Sequence, residues 1–432
     1  MKRFLIWLTV PVAVVTGCAE PGPQISDVAV ERNPNINAPL VAICTFTTSE
    51  PAISWAQVRD SDRTFTTPHS TEVVTDHHIV ILGLQPDHVN QITVAVTTQD
   101  GRGARSQPVE YKTLPLPQDF PPVEVLVSNP EKMEPGITLV PFTRWPKGAG
   151  PDRNFGVLYA LDEAGRIVWY LKTDHHLSDV AQRENGNLFY HHGRFGDALE
   201  IDLLGNTVRA WYATGSGPDR PETAIPVKTT TFHHELQELP NGNFMGLSLE
   251  VRHFENYPSS ETDPDAPWAP SYVIGDVIVE FEPDGTVLNL WSLMDILDPY
   301  RMGYDSLDTG FWQDVFQDKL PEPARDWSHA NSIDYLADER AILISVYHQD
   351  ALIKFNLETE ELEWILSFPT GWREQWQDKL LTPEGEGLYP AHQHSGRRTP
   401  KGTVILFDNG TFRARPFEAK MSPDDSFSRA VE

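Results

Sequence analysis

The 432-residue sequence is poor in cysteine, in positive charge and in long apolar segments. Its two cysteines, Cys18 and Cys44, exclude a disulfide framework and any CxxC zinc or redox motif. Beyond a short N-terminal stretch, no apolar run approaches the ~20 residues of a membrane-spanning helix. Acidic residues outnumber Lys and Arg by 62 to 34, so the formal net charge is −28. This charge argues against nucleic acid or an anionic membrane surface as a partner, and any anion site must be locally positive.

The N-terminal apolar stretch has the pattern of a signal peptide. Two basic residues precede the run from Phe4 to Val15, and small residues lead to Cys18. A signal peptide that ends on cysteine resembles the bacterial lipoprotein signal, in which that cysteine carries lipid. The resemblance implies a signal segment at 1–18 and a lipoprotein that faces the periplasm or sits on the outer membrane, with lipid on Cys18 as its membrane contact. An ordinary signal peptide with a chance cysteine is the alternative. Cys44 then lacks a partner, and its apolar surroundings predict a buried thiol.

The rest of the chain has the pattern of an all-β protein. Helical signals are scarce, and short alternating apolar runs are separated by Gly, Pro, Asn and Asp. Residues 24–116 predict a β-sandwich similar to a fibronectin type III domain. Its predicted strands are 40–47, 53–58, 79–82 and 91–97. A proline-rich linker at 113–117 leads to a second domain, predicted at 120–432.

An internal repeat in this second domain predicts a β-propeller. One half-unit, at 180–189 and 236–244, carries an Asn-Gly pair, interpreted as a hairpin turn in which both central residues take positive φ. The other half-unit ends at Trp169, Trp211, Trp291 or Trp364. Two hairpins make a four-stranded blade, and blades repeat around a central channel. Long loops at 212–230, 252–270 and 294–327 are expected to build a binding site. Because residues 430–432 look like a strand, we also expect the sequence to be C-terminally truncated within its last blade.

Four histidine-bearing segments lie at or near strand ends of the repeat. They are 232–235, 326–333, 345–349 and 390–394. Equivalent edges of successive blades face the channel, so histidines at the same phase can meet on the axis, although each can also be purely structural. His392 and His394 lie two apart, and on a strand they would share a face, which also fits metal ligation. Only Glu235 and Asp326 supply carboxylates at a matching phase, so a metal-dependent hydrolase ranks third among the hypotheses and no metal is predicted.

Taken together, these segments resemble the bacterial arylsulfate sulfotransferases. The resemblance rests on DWSHANSI at 326–333, Gln393-His394, LFDNG at 406–410, and HHE at 233–235 followed by LPNGN at 239–243. It spans residue 120 to the end and implies a β-sandwich before a six-bladed propeller. The implied reaction transfers a sulfuryl group from an aryl sulfate to a phenol. It proceeds through a sulfohistidine with ping-pong kinetics, and it needs no nucleotide donor and no cofactor.

The resemblance also implies roles for individual residues. His394 is the implied nucleophile. The implied ligands of the sulfuryl oxygens are His329 and either His233 or His234, and His234 is preferred because it directly precedes Glu235. The predicted substrate-binding residues are His233, Tyr347, Asn331 and Arg252. A neutral imidazole is a good nucleophile that leaves an activated N–S bond, so one difficult displacement becomes two easier ones. The surrounding groups then need only to orient the substrate and stabilise spread negative charge.

One position departs from the pattern of this family. An arginine normally follows two serines on the strand after the DWxHxNS segment, whereas this chain has Ser345-Val346-Tyr347. Tyr347 can donate one hydrogen bond but carries no charge. Arg252 and Arg397 are the candidates to replace the missing cation. If neither does, the chemistry has drifted, and the alternative is a non-enzymatic propeller of the cell envelope that binds a ligand.

Overall fold

The computed structural model describes residues 22–143, 156–173, 175–192, 196–216, 222–316, 319–320, 322–385 and 387–432. Cys18 and the rest of the predicted signal segment lie outside the described residues. Among the described residues, no helix has the length and apolar character needed to cross a membrane. The chain divides into two compact units, the first running to Gly136 and including Leu161–Trp169, the second comprising Ile137–Ala160 and Tyr170–Glu432.

The prediction of an all-β protein is confirmed. In the part of the chain that the structure describes, each α-helix is one turn long. These helices are α1 (Leu293–Ile296), α2 (Gln313–Phe316) and α3 (Glu374–Gln377). The strands belong to one sheet in the first unit and to five further sheets from residue 138 onward.

The N-terminal sheet is built around one long strand. Its strands are β1 (Ile25–Arg32), β2 (Ala42–Arg59), β3 (Thr64–Thr66), β4 (Val74–Ile81), β5 (Val89–Thr98), β6 (Gly103–Arg105) and β7 (Val109–Lys112). The first half of β2 pairs with β1 and β4, and the second half pairs with β3 and β5. The separate strands predicted at 40–47 and 53–58 are therefore wrong. Pro51 breaks the apolar alternation, but a register shift between Thr47 and Ala52 accommodates it, and the chain stays extended.

The two halves of β2 supply both layers of one sandwich core. Alternate side chains of the first half, Cys44 and Phe46 among them, pack with those of the second half and with Ile92 and Val94 of β5. Cys44 is free and buried, and burial raises the pKa of its thiol to about 11. The thiol is therefore protonated and inert at neutral pH, as its surroundings in the sequence indicate.

The five sheets that follow are arranged as blades of a β-propeller. The strands of the first two are β8 (Thr138–Thr143), β9 (Gly156–Leu161) and β10 (Ile167–Thr173), then β11 (Ser178–Gln182), β12 (Leu188–His192), β13 (Asp197–Ile201), β14 (Thr207–Ala213) and β15 (Ile225–Val227). Those of the third are β16 (His233–Glu238), β17 (Phe244–Tyr257), β18 (Ala269–Phe281), β19 (Val287–Ser292) and β20 (Arg325–Asp326). The last two contain β21 (Ala330–Leu336), β22 (Ala341–Val346), β23 (Ala351–Asn356) and β24 (Glu361–Ser367), then β25 (His394–Arg398), β26 (Val404–Asp408) and β27 (Arg429–Val431). The propeller prediction is confirmed, and a sixth blade stays a prediction.

The glycine turns of the repeat join the strands of each blade, but their type differs from the prediction. Gly186 and Gly242 have φ of +86° and +83°, whereas Asn185 and Asn241 do not take positive φ. Each is a tight turn whose last residue alone is left-handed, which only glycine adopts without strain. The preceding asparagine instead accepts a hydrogen bond through its side chain, as Asn185 does from the N–H of Asn187.

The predicted loop at 252–270 is also different in the structure. Strands β17 and β18 extend into it and pair from Phe244 and Phe281 out to Tyr257 and Ala269. The extension carries polar residues that hide its strand pattern in the sequence. The 294–327 segment is a long connection as predicted, although it holds α1, α2 and the short strand β20.

Irregular backbone marks the start of each innermost strand. Strand β11 contacts β16, β16 contacts β21, and β21 contacts β25, so these strands follow one another around the axis. Each is bulged near its first residues. Positive φ occurs there at Asp179, His234, His329 and His392. Side chains of a regular strand point alternately to the two faces of the sheet. A bulge with left-handed backbone changes the direction of a side chain, so these residues do not follow that alternation.

Candidate active site

The bulged strand starts bring the three predicted catalytic histidines into one cluster. The ring centroids of His234 and His329 are 5.1 Å apart, those of His329 and Tyr347 5.5 Å, and those of Tyr347 and His394 5.1 Å. The cluster therefore links β16, the segment before β21, and β25, which belong to three different blades. The expectation that histidines at the same phase meet is fulfilled by this geometry.

His394 is held in one tautomer by its neighbour on the next strand. Its Nδ1 lies 3.0 Å from the Oδ1 atom of Asn409, which can only accept, so Nδ1–H donates and Nε2 keeps a free lone pair. Burial, reinforced by the nearby His329 and opposed by the bond to Asn409, lowers the pKa of His394. The ring is therefore neutral at physiological pH and presents Nε2 as a nucleophile.

His329 has the opposite electrostatic setting. Its Nδ1 lies 2.5 Å from Oδ2 of Asp326, and both residues are buried. Burial alone would lower the pKa of His329, but the charge of Asp326 and the hydrogen bond to it outweigh burial, and the pKa of His329 is raised. The pKa of Asp326 is lowered, because the charges of His329 and His348 outweigh the effect of its burial. His329 is thus the histidine of the cluster whose surroundings favour the protonated form.

The backbone around His329 is fixed by Asp276, a fully buried residue in the middle of β18. Asp276 Oδ2 accepts from Ser328 Oγ at 2.5 Å and from the Ala330 N–H at 2.6 Å, one residue on each side of His329. The other oxygen, Oδ1, lies 3.1 Å from His233 Nε2. Asp276 therefore holds His329, which lies before the first strand of the next blade, in its left-handed conformation and at the same time faces the histidine pair of its own blade.

His234 is oriented by His233. The two Nδ1 atoms are 3.0 Å apart, and the hydrogen bond of His233 Nε2 goes to the carbonyl oxygen of Ser248 at 3.2 Å. One proton must lie between the two Nδ1 atoms, and when His233 carries it, Nε2–H of His234 is free to donate. Burial, with added repulsion from His329 and His233, lowers the pKa of His234 well below its ordinary value. His233 is buried, and its contacts give it the function of a support for His234.

Tyr347 stands between the two histidines of opposite character. Its ring lies 5.5 Å from that of His329, 5.1 Å from that of His394 and 4.5 Å from that of His392. Burial raises the pKa of its phenol, so the O–H stays protonated and can donate. The position that carries arginine in the resembling family is therefore filled here by a neutral donor.

Asn331 acts on the segment that carries His394. Its Nδ2 donates to the carbonyl oxygen of Gln393 at 2.8 Å, and Ser345 Oγ donates to the same oxygen at 3.1 Å. The amide of Gln393 in turn donates to the carbonyl oxygen of Ala351 at 2.8 Å. These buried bonds tie β21, β22 and β25 together directly before the nucleophile. Asn331, predicted to bind substrate, is thus engaged in positioning His394.

The two arginines predicted to replace the missing cation both have their guanidinium groups engaged by acidic side chains. Arg252 forms a bidentate pair with Asp295 at 2.7 and 2.9 Å and also contacts Glu250 at 2.8 Å. Arg397 pairs with Glu235 and donates to the carbonyl oxygen of Ile333. The prediction of Arg252 as a substrate-binding residue is not supported, because its fork is already occupied. The histidines beside Tyr347 whose protonated form is favoured by a neighbouring carboxylate are His329 and His392.

Asp326, His329 and His348 are the three groups among the described residues whose ligand atoms lie close enough to hold a metal ion. Tetrahedral ligand atoms at ~2.0 Å from zinc are roughly 3.3 Å apart. Asp326 Oδ2 and His329 Nδ1 are 2.5 Å apart, and His348 Nδ1 bonds to the backbone oxygen of Asp326 at 2.5 Å. The carboxylate would have to move away from His329, and His348 would have to leave the backbone oxygen, to make room for an ion, so the arrangement fits a proton better than a metal.

His392 and His394 do not share a face, contrary to the prediction. His392 precedes β25 with a φ of +51° and is fully buried. Its Nε2 bonds to the carbonyl oxygen of Tyr304 at 3.2 Å, and Asp350 Oδ1 lies 3.1 Å from its Nδ1. Because β25 begins at His394, the strand alternation on which a metal site at this pair was based does not include His392.

Four residues that shape the site were not among those predicted from the sequence. Asp276 lies 52 residues from Ser328 along the chain, and Asn409 is visible only as part of a turn motif. Phe311 and Trp312 lie in the long 294–327 connection. The ring of Trp312 packs 4.9 Å from that of His233, and the ring of Phe311 packs 4.6 Å from that of His329. The sequence signal that could have identified Phe311 and Trp312 is that two aromatic residues stand side by side in a loop without strand or helix periodicity.

Two family models match the chain. The arylsulfotransferase (ASST) family model matches residues 123–432, and the model of the arylsulfotransferase Ig-like domain matches residues 29–113. The chain belongs to the arylsulfotransferase family. The first match covers the whole histidine cluster, and the second covers the β-sandwich around β2.

Two curated members of this family are similar over part of their length. The arylsulfate sulfotransferase AssT of Lelliottia amnigena is 31% identical over 197 residues, which cover 37% of this chain and 32% of that protein. The arylsulfate sulfotransferase AssT of Escherichia coli O6:H1 is 31% identical over 195 residues, with the same coverage of 37% and 32%. The chain therefore matches about a third of the length of these relatives.

Similarity to solved structures is weak. A protein of unknown function from Bacteroides caccae is 11% identical with a TM-score of 0.34, over 84% of this chain and 83% of that one. Virginiamycin B lyase from Staphylococcus aureus is 10% identical with a TM-score of 0.29, over 94% and 88% of the two chains. Scores this low carry no argument about function.

Proposed function

We propose that this arylsulfotransferase family member transfers a sulfuryl group from an aryl sulfate ester to a phenol through a covalent intermediate on His394. The observation that carries the proposal is the pairing of two histidines with opposite protonation in one cluster. The surroundings of His394 favour a neutral ring with a free Nε2, and the carboxylate of Asp326 favours the protonated form of His329. A nucleophile and an acid are the two groups that such a transfer requires.

In the first step, Nε2 of His394 attacks the sulfur of the aryl sulfate and the S–O bond to the aryl group breaks. The electron pair leaves with the phenolate oxygen, which takes a proton from His329. The attacking ring gains positive charge as the N–S bond forms, and this strengthens the hydrogen bond from its Nδ1–H to Asn409. An interaction that is stronger in the transition state than in the ground state accelerates the step.

In the second step, His329 acts as a base and returns the enzyme to its starting state. The acceptor phenol gives its proton to His329, its oxygen attacks the sulfur, and the N–S bond to His394 breaks. Donor phenol must leave before the acceptor enters, so the kinetics are ping-pong. During both steps the sulfuryl oxygens carry negative charge, and His234 and the O–H of Tyr347 are the donors proposed to stabilise it, with the charge of His329 beside them until its proton passes to the phenolate.

A burst experiment tests the proposal. Full-length protein is mixed with 4-nitrophenyl sulfate in the absence of an acceptor, and we expect one equivalent of 4-nitrophenol per enzyme and a stable sulfuryl adduct on His394. His394→Asn should give neither. His253→Asn, which removes a partly exposed histidine that faces Glu255, is the matched control and should keep both. Absence of the burst in the unaltered protein with every aryl sulfate tried would refute the proposal.

We further propose that the protein is exported and anchored by lipid on Cys18, facing the periplasm. The support is the N-terminal sequence pattern alone, since Cys18 lies outside the described residues. Metabolic labelling with a palmitate analogue should mark the wild-type protein and not Cys18→Ser. Equal labelling of both would contradict this proposal.

One observation favours a second function, a ligand-binding propeller without turnover. Tyr347 replaces the arginine of the family pattern, and both alternative arginines are paired with carboxylates. Under this alternative, an aryl sulfate binds and is released unchanged. Binding that His394→Asn leaves intact, together with the absence of a burst in the wild type, would favour it.

A further inference from the structure

Phe311 is an exposed aromatic residue at the edge of the histidine cluster. Its side chain is 55% exposed, although its ring lies only 4.6 Å from that of His329, at an interplanar angle of 74°. The ring also lies 6.5 Å from that of His234, nearly parallel at 24°. An apolar ring that contacts the two proposed sulfuryl-binding histidines and keeps half its surface free has a face available to a ligand.

The position of Phe311 is fixed by the next residue. Trp312 is only 6% exposed, and its ring packs 4.9 Å from that of His233 and 5.8 Å from that of His329. The rings of Phe311 and Trp312 meet edge to face at 4.8 Å, and α2 begins directly after them. The buried tryptophan therefore anchors the loop and holds Phe311 beside the histidines at little entropic cost.

We propose that Phe311 binds the aryl ring of the donor and sets a preference for flat aromatic esters over alkyl sulfates. The inference rests on the proposed function and names a residue that selects its substrate class. A ring bonded through oxygen to a sulfuryl group held by His329 and His234 comes within reach of the exposed face of Phe311. Stacked or edge-on aromatic pairs form at centroid distances of about 4.5–7 Å.

The expected effect follows from the strength of such pairs. Beyond the area that it buries, a pair of aromatic rings strengthens binding by about 2- to 12-fold in affinity. Phe311→Leu keeps an apolar side chain and removes the ring, so it should weaken binding of aromatic ligands by this factor and leave alkyl ligands nearly unaffected. Phe311→Tyr keeps the ring and should restore aromatic binding.

The test uses the full-length protein and ligands that cannot react. Naphthalene-2-sulfonate and methanesulfonate have no ester oxygen to leave, and their binding is measured by isothermal titration calorimetry. We expect Phe311→Leu to lose affinity for the naphthyl compound only. The matched control is Trp268→Leu, which removes an aromatic side chain that is 50% exposed and stacks on Tyr300. This control should bind both ligands as the wild type does.

Each outcome decides a separate question. Equal affinity of wild type and Phe311→Leu for naphthalene-2-sulfonate would overturn the inference, as would an equal loss for both ligands or a failure of Phe311→Tyr to restore binding. Because these ligands need no turnover, the result stands apart from the burst experiment. If wild-type protein binds the naphthyl ligand through Phe311 but releases no phenol from any aryl sulfate, the proposed function fails while Phe311 remains an aryl-binding residue.

Discussion

Asp326→Asn should remove the positive charge of His329 at neutral pH. The carboxylate and the ring are buried and 2.5 Å apart, so bulk water screens their interaction little. Without the charge of Asp326, burial dominates and the pKa of His329 falls. An asparagine of the same shape can still accept a hydrogen bond from Nδ1–H, so the geometry is kept and the charge is lost.

The size of the effect can be estimated in two ways. A unit charge about 4 Å from a sulfuryl oxygen contributes ~4 kcal/mol at an effective dielectric constant near 20. Loss of one donor that stabilises a developing anion costs about 10²–10³ in rate, or ~2.7–4 kcal/mol. The two estimates agree, so Asp326→Asn should lower the first-order rate of phenol release by about 10²–10³ at pH 7.

The pH dependence of this variant is the more specific test. In the wild type, the raised pKa keeps His329 protonated, and the rate declines only as pH rises through that pKa. In Asp326→Asn this decline should shift to lower pH. The rate ratio of wild type to variant should therefore be large at neutral pH and shrink in acid, where His329 is protonated in both. Single-turnover phenol release measured by stopped flow from pH 5 to 9 provides the profile.

The matched control is Asp350→Asn, which alters a second buried carboxylate beside a histidine, His392. His392 has no place in the proposed chemistry. The decline of the rate at high pH, the alkaline limb of the profile, should therefore occur at the same pH in Asp350→Asn as in the wild type. If the limb of Asp326→Asn is unmoved, or if both variants shift it equally, the assignment of His329 as the cationic acid is refuted.

Three further predictions follow from named contacts. Asn409→Leu removes the acceptor of His394 Nδ1–H, so kcat should fall about tenfold or more with little change in KM, and unchanged kcat in steady-state assays would contradict the tautomer assignment. Asp276→Asn removes the charge from the hydrogen bonds that flank His329 and should lower the free energy of unfolding by about 1.5–3 kcal/mol in urea titrations; no loss would show that Asp276 is not the support described. Burial and the adjacent charge of Asp179 raise the pKa of Glu235 to about 8, so the folded state binds more protons than the unfolded chain, and stability should fall from pH 5 to pH 8. Glu235→Gln should flatten that slope in urea midpoints, and a slope equal to that of the wild type would exclude this carboxyl as its origin.

Local patterns in the sequence were enough to predict the fold class and the meeting of the histidines. Glycines at turns and tryptophans at strand ends recur along the sequence, and they indicate the hairpins of each blade. They recur because each hairpin needs a residue that tolerates positive φ at its turn. Histidines at the same phase of successive units meet because the inner strands β16, β21 and β25 are neighbours around one axis. Both properties depend on periodicity, which a sequence displays directly.

The supports of the site could not be predicted in this way. Asp276 reaches the His329 segment from the middle of another blade, and nothing local marks it. Arg252 looked like a free cation because its partner Asp295 lies 43 residues away. Likewise, the left-handed φ of His392 is set by tertiary contacts and not by residue type. Contacts between distant segments determine which charged side chains are paired and in which direction the histidine rings point. A single sequence does not display these contacts.

The central claim is that His394 carries the sulfuryl group, and the adduct itself tests it most directly. Full-length protein is mixed with 4-nitrophenyl sulfate without acceptor, quenched, digested and examined by mass spectrometry. The prediction is one sulfuryl group on the peptide that contains His394 in the wild type. His329→Asn should show the same adduct formed about 10²–10³ more slowly, and His394→Asn none. An adduct on His329 or His234, or a burst that survives in His394→Asn, would contradict the account.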